Sequence, residues 1–238
     1  MQKTLTFLQT GLLIFTLIVA HATDRETRDL DAFSGIAVSS GIDAKLVEGN
    51  TNEISIQVDG IELERVKTYI KNDVLVVSVK QKRSWFSAWK KKDIDVVITY
   101  TDNLESLKAT SGSNLYADHV IRGDELEIDI SSGAHIDVEV DVREVEVDLS
   151  SGSVADITGD TDVAYIDSSS GASFRGFGLV AEKAHTDGSS GSSIEVSVLD
   201  GLRADVSSGA SVRYKGNPTN KSIDKSSGGS VRQVSTGV

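Results

Sequence analysis

The chain has 238 residues, no cysteine and a formal net charge of −12. Without cysteine it holds no disulfide and no N-terminal lipidated cysteine, so its fold rests on an apolar core alone. The acid excess repels nucleic acid and anionic lipid on average, which argues against a nucleic-acid role.

The first segment, "MQKTLTFLQTGLLIFTLIVAHATDR", has one base (Lys3), an apolar run from Leu5 to Ala20, and small residues at Ala20 and Ala22. That pattern predicts a secretory signal peptide over 1–22 and a mature chain from Thr23. No later segment is long and apolar enough to span a bilayer.

Residues 31–110 predict a smaller β-domain. "EISIQVDG", "VKTYIKNDVLVVSVK" and "DIDVVITYT" read as strands, with a hairpin turn at Asn72-Asp73. Between the last two lies "KQKRSWFSAWKKKD", residues 80–93, with six bases, one acid and both tryptophans. One reading is a hairpin loop whose aromatics cover an end of the domain. The other is a contact loop for a glycan, a partner protein or a membrane surface, because Trp and Arg are favoured at binding hot spots and a basic-aromatic loop can sit at an anionic interface. Its candidate binding residues are Trp85, Phe86, Trp89, Lys90, Lys91 and Lys92.

From residue 111 onward the chain repeats. Ser-Gly corners recur with glycines at 112, 133, 152, 171, 191, 209 and 228, in steps of 21, 19, 19, 20, 18 and 19. Counting from each glycine, position +1 is small (Ser113, Ala134, Ser153, Ala172, Ser192, Ala210, Gly229). Position +3 is Leu115, Ile136, Ala155, Phe174, Ile194, Val212 and Val231. Apolar residues two apart with polar ones between are strands with one buried face. In "HIDVEVDVREVEVDL" the alternation slips by one residue at Arg143-Glu144, which requires a bend there to keep the apolar set inside. Each repeat is thus strand, bend, strand and tight corner. A fixed period with columns of like residues predicts an all-β, parallel, right-handed β-helix or β-solenoid of about 19-residue coils over 111–238, preceded by the smaller β-domain. Seven copies of one corner are structural, not seven nucleophiles.

One polar column stands out at position −4: Asp129, Asp148, Asp167, Asp187, Asp205 and Asp224. Parity points these side chains outward, one above another at about 4.8 Å. The expected role is structural, with each carboxylate accepting from corner serine N–H groups in an Asx-type turn. A second reading places a hard cation such as Ca²⁺ between rungs, since such ions favour carboxylate oxygen. Position +4 (Asp137, Asp156, Arg175, Glu195, Arg213, Arg232) is a mixed charged column, read as a solvated face. His119, His135 and His185 fall at different repeat positions, and the chain has no HExxH, GxSxG or P-loop motif. No cofactor is implied.

Residues 31–231 resemble the bacterial head GIN domain family, also called putative auto-transporter adhesins and common in Bacteroidetes. The resemblance rests on "GIDAKLVEGN", "VLVVSVK", "LESLKATSGS", the serial Ser-Gly repeats and "VRYKGNP" in that order. It implies an exported, mostly parallel β-helical protein of a Gram-negative envelope, periplasmic or on the outer surface, with a binding rather than a catalytic role. It supplies no catalytic residues. The expected function is a non-enzymatic adhesin or ligand-binding solenoid, with a glycan or an envelope or matrix protein as partner. The alternatives are a polysaccharide-active β-helix enzyme and a structural, self-assembling envelope protein.

Overall fold

The computed structural model of the chain describes residues 24–80 and 93–235. The leader segment 1–22 and the candidate residues Trp85, Phe86, Trp89, Lys90, Lys91 and Lys92 lie outside the described residues. In chain order the strands are β1 (Asp24–Asp29), β2 (Gly35–Ser39), β3 (Asp43–Glu48) and β4 (Glu53–Asp59). After one 3-10 turn (Leu63–Arg65) come β5 (Val66–Lys71), β6 (Val74–Val79), β7 (Asp93–Tyr100), β8 (Ser106–Thr110), β9 (Asn114–Ile130) and β10 (His135–Leu149). The last six are β11 (Val154–Ser168), β12 (Ser173–Gly188), β13 (Ser193–Val206), β14 (Ser211–Lys215), β15 (Asn220–Lys225) and β16 (Ser230–Gln233). Among the described residues no helix is long and apolar enough to cross a membrane.

The predicted parallel β-solenoid is what forms, with about 7 turns of ~19-residue coils. The columns read from the sequence are true structural columns. Ile136, Ala155, Phe174 and Ile194 pair in succession across β10 to β13, and Val212 and Val231 continue the column through β14 and β16. Within β10 the buried set is Ile136, Val138, Val140 and Val142, then Val145, Val147 and Leu149. The change of parity falls at Arg143-Glu144, where the strand bends and turns the second set back inward. Removing such Val and Ile side chains from water contributes roughly 1.5–3 kcal/mol each, repeated on every coil.

The corners use both the serine and the glycine. Ser151 and Gly152 have φ of 56° and 69°, and the same pair of positive values recurs at every corner from Ser40-Gly41 to Ser227-Gly228. Two consecutive left-handed residues make a primed turn, closed here by Ser153 N–H donating to Ser150 O at 3.2 Å. Corners also bond to one another: Gly152 N–H donates to Ser170 O of the next coil at 3.1 Å. The small +1 side chain is buried beneath the turn. Where it is serine it ties two coils together: Ser153 Oγ donates to Ile130 O at 3.0 Å, and Ser192 Oγ to Ser168 O at 2.7 Å.

The strands of residues 35–110 are hydrogen-bonded into the same sheet as the repeats. Their stacking order departs from chain order. The coil made by β2 and β3 sits between the β6–β7 coil and the β8–β9 coil, parallel to both. Antiparallel strands finish this end: β5 on β6, and β4 then β1 on β7. Arg28 of β1 bridges the two sides, donating to Val66 O at 3.0 Å and Thr68 Oγ1 at 2.9 Å. At the other end β15 and β16 form the last rung. There the inward columns change character: Leu202 is followed by Lys221, and Val206 by Lys225. Charge on these columns disfavours stacking of a further apolar rung on them.

Candidate functional site

Two flat outer faces are available, one before each corner and one after it. The aspartate column lies on the first. Asp129, Asp148, Asp167, Asp187, Asp205 and Asp224 pair in unbroken register across six rungs, half-buried or exposed. Lys108 stands on the rung before Asp129 and forms an ion pair with it, so a cation closes one end of the ladder. Burial, then the Asp129 charge, lifts the Asp148 carboxyl above the usual carboxylate range, while Lys108 pulls it down. Burial, then Asp187 and Asp148, lifts Asp167 likewise.

The Asx-type role expected for these aspartates is not what the corners do. The first serine N–H of each corner goes to backbone of the preceding coil: Ser150 to Ile130 O at 3.0 Å, Ser169 to Leu149 O at 2.9 Å. Parallel stacking has already used that donor, so the carboxylates stay on the outer face. The ladder sets them in a line. Among the described residues no group of three or more His, Asp or Glu side chains gathers around one point as a metal site.

Two grooves flank the ladder. The first, about 600 Å³, is acidic and lined by Glu105, Glu125, Glu127, Glu144 and Glu146, with Arg143 between rungs, 3.5 Å from Glu125 and 3.6 Å from Asp124. The second, about 330 Å³, follows position −6 of the repeat. There Tyr165 and His185 stack with ring centres 4.9 Å apart and planes 14° from parallel, beside Asp148, Asp167 and Asp187. Sequence reading missed this pair. The signal was present, since position −6 runs Glu127, Glu146, Tyr165, His185, Arg203, with one exposed aromatic in a charged column.

The mixed column at +4 lies on the other face and pairs with its own neighbours. Asp156 takes Arg175 at 3.3 Å and His135 at 2.8 Å, and Glu195 pairs with Arg213. The histidines are separate. His119 Nε2 lies 2.6 Å from the Tyr100 hydroxyl, whose pKa burial pushes up to about 12, so the pair shares a hydrogen bond with the hydroxyl protonated. The 81–92 segment joins β6 to β7, strands that lie in register with β2 and β3.

No protein of curated function matches the chain in sequence. Among solved structures, a putative adhesin from Bacteroides fragilis superposes with a TM-score of 0.79 at 16% identity, covering 90% of this chain and 98% of its own. A putative adhesin from Parabacteroides merdae gives 0.68 at 21% identity, with 89% and 96% covered. A putative lipid binding protein from Parabacteroides distasonis gives 0.64 at 16%, with 89% and 97% covered. At these identities the likeness is one of fold. A family model matches residues 32–218, and on that match the chain belongs to the family described as "Putative auto-transporter adhesin, head GIN domain".

Proposed function

We propose that this chain is an exported, non-enzymatic binding protein of the bacterial envelope or surface, adhesin-like in role. The observation that carries the reading is family membership over most of the chain, joined to a rigid solenoid with long flat faces. Such a scaffold presents side chains at fixed spacing with little ordering cost on binding. The composition of the 81–92 segment supports a specific contact: it is rich in Trp and Lys within a chain otherwise rich in acid. Its Trp85, Phe86, Trp89, Lys90, Lys91 and Lys92 are the proposed contact residues, and the partner is a glycan or an envelope or matrix protein.

The test is retention of the chain from Thr23 on an array of glycans and matrix proteins, beside a Trp85→Ala/Trp89→Ala variant. Specific retention that the variant loses is the expected result. Retention kept by the variant moves the contact to the solenoid faces, and retention nowhere removes the adhesin reading. Release of new reducing ends from any retained polysaccharide would replace it with the enzyme reading.

A further inference from the structure

Charge is unevenly spread along the solenoid. Residues 93–200 carry 23 acidic and 5 basic side chains, whereas residues 201–238 carry 2 acidic and 6 basic. The reversal coincides with a third groove, of about 460 Å³, on the pre-corner face near the last rung. Lys183 and Arg203 line it from the outer face above Ala184 and Leu202, and Lys221, which continues the Leu202 column on the exposed last rung, lines its end. Gly201 opens it. A side chain there would begin 3.3 Å from Lys183 Cγ, and its absence lets the lysine stem lie across the rung. Neither Lys183 nor Lys221 has an ion-pair partner among the described residues. Asp200, the acid in this groove, is taken by the Thr219 hydroxyl at 2.7 Å.

This basic groove is continuous with the Tyr165–His185 groove, since His185 and Arg203 line both. The joined strip therefore offers, in order, an exposed aromatic edge, carboxylates, and two unpaired lysines. Asp205 holds the Arg203 guanidinium at 3.1 Å between the two halves. A bare polyanion is poorly served, because Asp167 and Asp187 lie beside the path. A neutral sugar leaves the lysines unused. A saccharide that carries both hydroxyls and an anionic group uses everything: hydroxyls donate to the aspartates, apolar C–H groups meet the exposed edge of Tyr165, and the anion takes Lys183, with Lys221 at the groove's end.

We propose that the strip from Tyr165 to Lys221 is a binding site for an anionic saccharide, carboxylated or sulfated. The proposal rests on the binding-protein reading, and names one ligand class for it at described residues outside the sequence of the 81–92 segment.

The experiment is calorimetric titration of the chain from Thr23 with oligogalacturonate, sulfated dextran oligomer, neutral dextran oligomer, single-stranded DNA and anionic lipid vesicles. The same titrations are run on Lys183→Glu/Lys221→Glu and on Tyr165→Ala, with circular dichroism to confirm their fold. Binding of one anionic oligosaccharide, weakened at least tenfold by the lysine variant and severalfold by the tyrosine variant, is expected. The preferred oligomer separates carboxylate from sulfate. Equal binding of DNA or vesicles, equal binding of neutral dextran, or unchanged affinity in the folded lysine variant each overturns the site. If no saccharide binds but matrix proteins still retain the chain, this inference falls and the broader reading stands. If nothing is retained, both fall.

Discussion

The ring of Phe174 occupies the place of the side chain that Gly176 lacks: a Cβ on Gly176 would lie 2.2 Å from Phe174 Cε1. Neighbouring coils put Ile157 and Val196 at the position of Gly176, and Ala155 and Ile194 at that of Phe174. The coil conserves volume by trading one large side chain against a missing one. Gly176→Val is therefore expected to overpack the core and cost about 1–3 kcal/mol. Adding Phe174→Ala should recover part of the loss. Recovery stays partial because the new Cβ also meets Glu195 O at 2.9 Å. Chemical denaturation of the single and double variants checks this.

The corners make a second prediction, about backbone alone. A Cβ on Gly152 meets nothing within 4 Å, yet its φ is 69°. Gly152→Ala is expected to cost about 1–2 kcal/mol through conformation only. Gly159→Ala should cost clearly more, since its Cβ would fall 1.9 Å from Val140 O. Conversely Ser151→Gly, at φ 56°, should leave stability unchanged or raise it. Thermal melts of the three variants rank them, and a Gly159→Ala as mild as Gly152→Ala would refute the account.

A third prediction concerns pH. Asp148 and Asp167 both have raised folded-state values, burial being the first cause and neighbouring aspartates the next. A raised carboxyl binds its proton more readily in the folded chain than in the unfolded one. Its favourable contribution is complete below the unfolded value, about 3.9, and disappears as pH climbs through the folded value. These two groups thus favour mild acid over neutrality. Asp148→Asn/Asp167→Asn is expected to raise Tm at pH 7 by about 1–3 °C. The gain should shrink toward pH 4, and a gain that grew on acidification would contradict the assignment.

The fourth prediction tests the solenoid end. Lys221 and Lys225 stand on columns filled by Leu202 and Val206 one rung earlier. Lys221→Leu/Lys225→Leu restores those apolar columns and leaves an unguarded edge. Concentration-dependent association in sedimentation is expected for this variant and not for the parent chain. Association of the parent to the same extent would favour the self-assembling alternative.

The coil was legible because period-2 alternation and a fixed repeat report directly on stacking. The slip at Arg143-Glu144 even located the bend. The place of β2 and β3 was not legible, since their partners β6, β7, β8 and β9 are all distant in sequence. The aspartate role was misread because side-chain turn chemistry at Asp148 assumed a free Ser150 N–H, and parallel neighbours take that donor first. Serines at positive φ were hidden too, because Ser carries no strong left-handed preference to betray it. The Tyr165–His185 stack needed the register of position −6, which becomes plain only when every rung is aligned.

The out-of-order coil governs how the chain can assemble. Residues 35–48 are made early, yet both their neighbours, 74–100 and 106–117, follow in sequence. Growth cannot proceed rung by rung from the first strand. It must begin with a loop-closing event that brings these distant segments together, the slow kind of step for a β-protein. From β9 onward each coil adds to a finished template, so the later rungs form a zipper. Opening then runs in reverse, from the lysine-marked β15–β16 rung inward. Hydrogen exchange should accordingly slow in steps from the last coil to the interlocked first ones.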